Sequence, residues 1–170
     1  MYNTVRGNYV KDVASSGVDI GHDNEYPTYL GNLIEGNLFD GSINEDGIQF
    51  ENNYNGPLGD YNRGTIIRNN IIKNFVENAI DMKGTADIVI EGNIIYGIAG
   101  DDDGAVNGAD RYGGETIMRG GFNGVLTPSN HIIIRKNILY DNYGGIQLGP
   151  EYKVYNNTIV GNNHDYTGSN

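Results

Sequence analysis

Ile90-Glu91-Gly92-Asn93-Ile94-Ile95 decides how this chain folds, because its shape occurs five more times. Residues 5–10 read VRGNYV, 34–39 IEGNLF, 67–72 IRNNII, 134–139 IRKNIL and 154–159 VYNNTI. Each has an apolar residue, a variable one, most often Gly or Asn, and then an asparagine followed by a mostly apolar pair. The six asparagines, Asn8, Asn37, Asn70, Asn93, Asn137 and Asn157, are 29, 33, 23, 44 and 20 residues apart. A constant unit joined by connections of varying length is the mark of a solenoid whose insertions fall in loops.

The residue two before each asparagine reads Arg6, Glu35, Arg68, Glu91, Arg135 and then Tyr155. Charge alternates through five successive units, as expected if each unit lays one strand on the last at roughly 4.8 Å. Opposite charges are then neighbours in an outward column, and like charges are not. The asparagines suit the bend that ends a strand, since Asn tolerates left-handed backbone and stacked amides hydrogen-bond from layer to layer. A second strand follows each bend: GVDIG (17–21), GIQFE (47–51), AIDMK (79–83), TIMRG (116–120) and GIQLG (145–149). Period-two alternation points Val18, Ile48, Ile80, Thr116 and Ile146 inward, with Ile20, Phe50, Met82, Met118 and Leu148. It points Asp19, Gln49, Asp81, Ile117 and Gln147 outward, followed by Gly21, Glu51, Lys83, Arg119 and Gly149. In the first strand Leu33, Ile66, Val89 and Ile133 face outward although all are aliphatic, so a loop, a flanking segment or another chain is expected to cover them.

Composition bounds the function. One hundred and seventy residues suit a single domain spanning 1–170, read as a piece that lacks the capping segments a solenoid needs. Zero cysteines rule out disulfides and thiolate metal sites. The net charge is −11, with no Lys or Arg between Lys11 and Arg63 while ten acids fall in that interval, which disfavours nucleic acid as a partner. No apolar run approaches the roughly 20 residues that span a bilayer, so membrane insertion is not expected. Serine-elbow, phosphate-loop and paired-histidine zinc motifs are absent from the sequence.

The repeats and the G-I-x-Φ strands, from about Val5 to Gly161, resemble the right-handed parallel β-helix of the pectate-lyase-like superfamily. The resemblance implies an all-β right-handed parallel solenoid of about six coils with loop insertions. It implies an extracellular or cell-surface setting and a polysaccharide, acidic or neutral, as partner. Lyases, hydrolases and epimerases of acidic polysaccharides, phage tail-spikes and adhesins are all built this way, so the motifs specify fold more than activity. Stacking or side-by-side association with another chain is a further expectation.

Long connections at 22–31, 52–64, 97–114 and 121–130 are expected to crowd one edge and wall a groove whose floor is the second strand's outward column. Aligning MKG with MRG stacks Lys83 on Arg119. Either Glu51 completes a surface salt ladder with them, or the two cations meet the carboxylate of a uronic-acid sugar. In β-helix polysaccharide lyases generally, a Lys or Arg removes the proton beside that carboxylate while calcium or a second cation steadies the intermediate. The resemblance therefore implies Lys83 as base and Arg119 as carboxylate partner, with Asp81 beside them, in a calcium-assisted lyase of a uronate-containing glycan. A Lys base needs its pKa lowered by neighbours or desolvation. Asp19, His22, Gln49, Glu51 and Gln147 are the expected substrate contacts. His22 with Asp19 and Asp23 partly resembles the Asp-Pro-His cluster of alginate epimerases, although a surface histidine in a turn reads the same way. Asp19 and Asp81, about 9 to 10 Å apart by strand spacing, leave a hydrolase using paired carboxylates as an alternative. A non-catalytic glycan-binding module is the other.

Asp101, Asp103, Asn107 and Asp110 fall on the ligand spacing of a calcium loop, although the first position is Ala99. That stretch either wraps Ca2+ or is a solvated acidic loop. Glu45 and Asp46, in a turn, are read as adding to metal or sugar binding. Tyr26, Tyr29, Tyr54, Tyr61 and Tyr112 lie in the inserted loops, where rings stack on sugars or pack their own loops.

Overall fold

The computed structural model describes residues 3–21, 31–42, 45–50, 62–100, 116–118 and 131–161. Every strand pairing among them is parallel, and successive repeats stack in register as rungs. The first sheet stacks six strands, Thr4–Arg6, Leu33–Glu35, Ile66–Arg68, Val89–Glu91, Ile133–Arg135 and Lys153–Tyr155. The second stacks Tyr9–Val13, Leu38–Ser42, Ile71–Lys73, Ile94–Tyr96, Ile138–Tyr140 and Thr158–Val160. A third holds Val18–Ile20, Ile48–Phe50, Ile80–Met82 and Ile117–Met118, and Asn62–Arg63 pairs with Thr85–Ala86 between the third and the first.

Three sheets, rather than two, line the core: the apolar pair after each asparagine forms a sheet of its own. The bend that allows this is sharper than expected, and its left-handed residue is the one before the asparagine. Gly7, Gly36, Asn69, Gly92, Lys136 and Asn156 all have φ between 54° and 65°. That explains why Gly and Asn recur there, and Lys136 holds the same geometry at a cost of about 1 kcal/mol.

The asparagine itself builds the ladder. Asn37 Nδ2 donates to Asn70 Oδ1 at 2.9 Å, Asn70 Nδ2 to Asn93 Oδ1 at 3.0 Å and Asn93 Nδ2 to Asn137 Oδ1 at 3.0 Å. Each of these oxygens also accepts the preceding asparagine's backbone N–H, and each amide also donates to a strand carbonyl of the previous rung. These asparagines are buried, and a buried amide is tolerated only when satisfied in this way.

The alternating column forms as expected. Arg6 and Arg68 flank Glu35 at 2.8 and 2.6 Å, and Arg135 meets Glu91 at 2.7 Å. Hydrogen bonding from Arg68 holds the Glu35 carboxyl below the usual carboxylate range. A second column, not read from sequence, runs along the second sheet: Lys11, Asp40 and Lys73 in register, with Lys73 Nζ 3.0 Å from Asp40, followed by Tyr96 stacked on Tyr140 at 4.8 Å.

Inward residues form ladders of like side chains. Ile34, Ile67, Ile90 and Ile134 come from the first sheet, Phe39, Ile72, Ile95 and Leu139 from the second, and Ile48, Phe50, Ile80 and Met82 from the third, all buried. Stacked rows of this kind bury apolar surface in proportion to the number of rungs. Leu33, Ile66, Val89 and Ile133 sit outward and half-buried, as expected. Two positions differ. Ile80 pairs with Ile117 and Asp81 with Met118, one residue out of the expected register, so Ile117 is buried rather than outward. A slip by one residue exchanges the two faces of a strand. In the fifth rung this strand shrinks to a single bridge from Ile146 to Ile117, and Leu148, expected inward, is 58% exposed.

Candidate functional site

The register of the third sheet sets Asp19, Gln49 and Asp81 side by side on its outer face. Asp19 is exposed, Gln49 half-buried and Asp81 buried. Just past the strand end, Lys83 turns its ammonium back so that Nζ lies 3.0 Å from Asp81 Oδ2; the lysine side chain is 18% exposed and the aspartate 3%. With the Gln49 amide oriented to satisfy its neighbours, its oxygen accepts from Lys83 Nζ and its nitrogen donates to Ser16 Oγ and Asp19 Oδ1, each at 3.0 Å. One hydrogen-bonded chain thus joins Asp19, Gln49, Lys83 and Asp81 across three rungs.

Burial alone would lower the Lys83 pKa, but the charge and hydrogen bond of Asp81 outweigh it and hold the ammonium above its usual value. Burial pushes Asp81 up, and the ammonium pulls it back. Lys83 is the more exposed partner and also feels Asp46 and Glu77, so its positive charge is the fixed one of the pair. A lysine held in this state anchors an anion and is poorly placed to remove a proton.

Beside this chain the repeat brings carboxylates together. Glu45-Asp46-Gly47-Ile48 stacks on Glu77-Asn78-Ala79-Ile80: Gly47 N–H donates to Asn78 O and Ile48 N–H to Ala79 O, both at 2.9 Å. Glu45 and Glu77 therefore occupy equivalent places in adjacent rungs, and Asp46 stands where the next rung has an asparagine. Asp46 Oδ1 accepts from both the backbone N–H and Nδ2 of Asn78 at 2.8 Å, while Oδ2 has no hydrogen-bond partner among the described residues although the residue is fully buried. Ligand oxygens of Glu45, Asp46 and Glu77 all lie within 4.8 Å of one another. Burial, then the charges of Asp81 and Glu77, push the Asp46 carboxyl up to about 8. Among the described residues, Asp81 Oδ1 is likewise buried without a hydrogen-bond partner. Glu77 was not singled out from sequence. The signal that would have found it is the pairing of EDGI at 45–48 with ENAI at 77–80.

Of the expected site residues, the structure joins Asp19, Gln49, Asp81 and Lys83. Gln147 is half-buried and follows Ile146, whose bridge to Ile117 carries the same sheet onward; its backbone N–H donates to Ile117 O at 2.9 Å. His22, Glu51 and Arg119 lie outside the described residues, as do Asp101, Asp103, Asn107 and Asp110 of the calcium loop and the five loop tyrosines. The MKG-to-MRG alignment is not the register adopted by Ile117 and Met118. On another face, Val89 and Ile133 of the outward aliphatic column, with Asp87, His131, Glu151 and Tyr152, line a cavity of about 580 Å3. His131 bridges its two carboxylates there, Nε2 at 3.1 Å from Glu151 and Nδ1 at 3.8 Å from Asp87.

Residues 1–169 match the family model described as the right handed beta helix region. The chain belongs to the right-handed β-helix family. No curated protein and no solved structure matches it. Membership accounts for the parallel rungs and leaves the chemistry of this β-helix to its own side chains. Among the described residues, no helix is long and apolar enough to cross a membrane.

Proposed function

We propose that this β-helix is a glycan-recognising protein that lays an extended, uronate-containing polysaccharide along the outer face of its third sheet. The observation that carries the reading is the chain of Asp19, Gln49, Lys83 and Asp81 running across the rungs, with an ammonium held by Asp81 and still partly exposed to solvent. Its donors and acceptors recur at the strand spacing of roughly 4.8 Å, close to the length of one sugar unit. Lys83 receives a sugar carboxylate, Gln49 and Asp19 take hydroxyl groups, and Asp81 holds the ammonium in place. The lyase role for Lys83 is the less favoured one, because Asp81 stabilises its protonated form. A calcium-assisted lyase whose proton acceptor lies elsewhere remains compatible with the same strip, as does an extracellular setting.

The test is binding of uronate oligomers and of neutral oligosaccharides by calorimetry, beside ultraviolet absorbance for the double bond that a lyase creates. Lys83→Ala alone would strand Asp81 as a buried charge and cost about 3–5 kcal/mol, so the informative variant is Lys83→Met with Asp81→Asn. Uronate binding is expected in the parent and a loss of at least tenfold in the double variant. Absence of binding to every glycan tested would defeat the reading, and growth of the ultraviolet band would convert it to a lyase.

A further inference from the structure

We propose that Glu45, Asp46 and Glu77 form a calcium-binding site at the turn that leads into the third sheet, separate from the acidic stretch at 101–110. Two observations carry it. The repeat stacks Glu45 over Glu77, an arrangement of like charges in adjacent rungs that is unfavourable by itself. Inside the cluster, Asp46 is fully buried with Oδ1 committed to Asn78 and Oδ2 without any hydrogen-bond partner. Burying an unpaired carboxylate oxygen is costly, and the usual resolutions are a proton on the carboxyl itself, a donor or a metal ion, of which the ion also relieves the stacked glutamates. Among the described residues no donor is supplied, although an asparagine at this position, as in the next rung, would have brought one.

The chemistry selects the ion. The donors are all carboxylate oxygens, with no imidazole or thiolate, which suits a hard divalent cation and disfavours zinc or copper. Oxygens no more than 4.8 Å apart can share one ion, and calcium accepts carboxylate oxygens in flexible geometry at about 2.4 Å. Magnesium demands near-ideal octahedral geometry and keeps several of its waters, which suits an all-carboxylate cluster less well. The site does not rest on glycan recognition and would stand if no sugar bound.

The test uses the full chain. Thermal melts are recorded in chelator and in rising calcium, with calorimetric titration of calcium chloride, for the parent, Asp46→Asn, Glu77→Gln and Asp103→Asn. Asp46→Asn keeps the acceptor to Asn78, so it folds, and its melt in chelator verifies this. The expected result is a melting temperature that climbs with calcium in the parent and in Asp103→Asn, since a ligand of the folded state alone stabilises it. That climb should vanish in Asp46→Asn and weaken at least tenfold in apparent affinity in Glu77→Gln. Calcium stabilisation that persists in Asp46→Asn, or that is lost in Asp103→Asn instead, would overturn the proposal, as would a parent indifferent to calcium.

Discussion

Asp46 differs from the asparagine one rung later by a single atom, and that atom decides the local electrostatics. An asparagine there would place a donor beside Asp81 and Glu77, whereas the aspartate adds a carboxyl whose ionisation burial and the charges of Asp81 and Glu77 oppose. Its carboxyl is raised to about 8 from an ordinary 3.8, so the folded state holds its proton more firmly than the unfolded one. The stabilisation this gives is fully present below the unfolded value and is lost as pH climbs through the folded one. In chelator, Asp46→Asn should therefore match the parent near pH 4 and melt several degrees higher near pH 8, a gap read directly from paired melts. A gap that is constant with pH would mean that Asp46 titrates normally. Lys83 shows the complementary lesson: its partner within the same turn, Asp81, sets its charge state, and no count of cations in the sequence reveals that.

The asparagine ladder is where an element is made rather than a residue placed. Each amide closes the bend of its own rung and pins the next, so the ladder carries register as well as stability. Replacing Asn93 by alanine removes the acceptor for the N–H and Nδ2 of Asn70 and the donor to Ile67 O. Several buried groups are orphaned at once, which should cost about 3–5 kcal/mol. Asn157→Ala, in the sixth rung and half exposed, should cost about 1 kcal/mol because water can take the place of the half-exposed side chain that is removed. Chemical denaturation of the two variants checks the ratio; equal losses would argue that the ladder is decorative. Among the described residues the third sheet has no such ladder through all its rungs, and that is where the sequence register misplaced Ile117 and Leu148. An insertion precedes Ile117, and with no asparagine to count from, one residue of slip was invisible.

Across the whole molecule, stability is a property of stacking. A rung gains from the neighbour on each side, so interior rungs are held more firmly than those with one neighbour. Ile67 and Ile90 are completely buried, whereas Val154 and Ile159 in the sixth rung remain 38% and 48% exposed. Amide hydrogen exchange should accordingly be slowest in Ile66–Arg68 and Val89–Glu91 and should quicken toward Lys153–Tyr155. Uniform protection from first rung to last would show instead that the stack opens only as one unit.

How much of this was written in the chain follows from which interactions repeat. Alternating Arg6, Glu35, Arg68, Glu91 and Arg135, the six asparagines and the inward isoleucines recur at matched positions, so the sequence alone specified parallel rungs, their order and the outward strip that holds Asp19, Gln49 and Asp81. It also named Lys83, Glu45 and Asp46. What it left open is whatever depends on side-chain distance and burial: that Lys83 bends back to Asp81, that the glutamate pair legible in EDGI and ENAI closes on Asp46, and that Asp46 Oδ2 has no partner among the described residues. Those are matters of distance and desolvation between residues on different rungs, and they take definite values only when the rungs are in place.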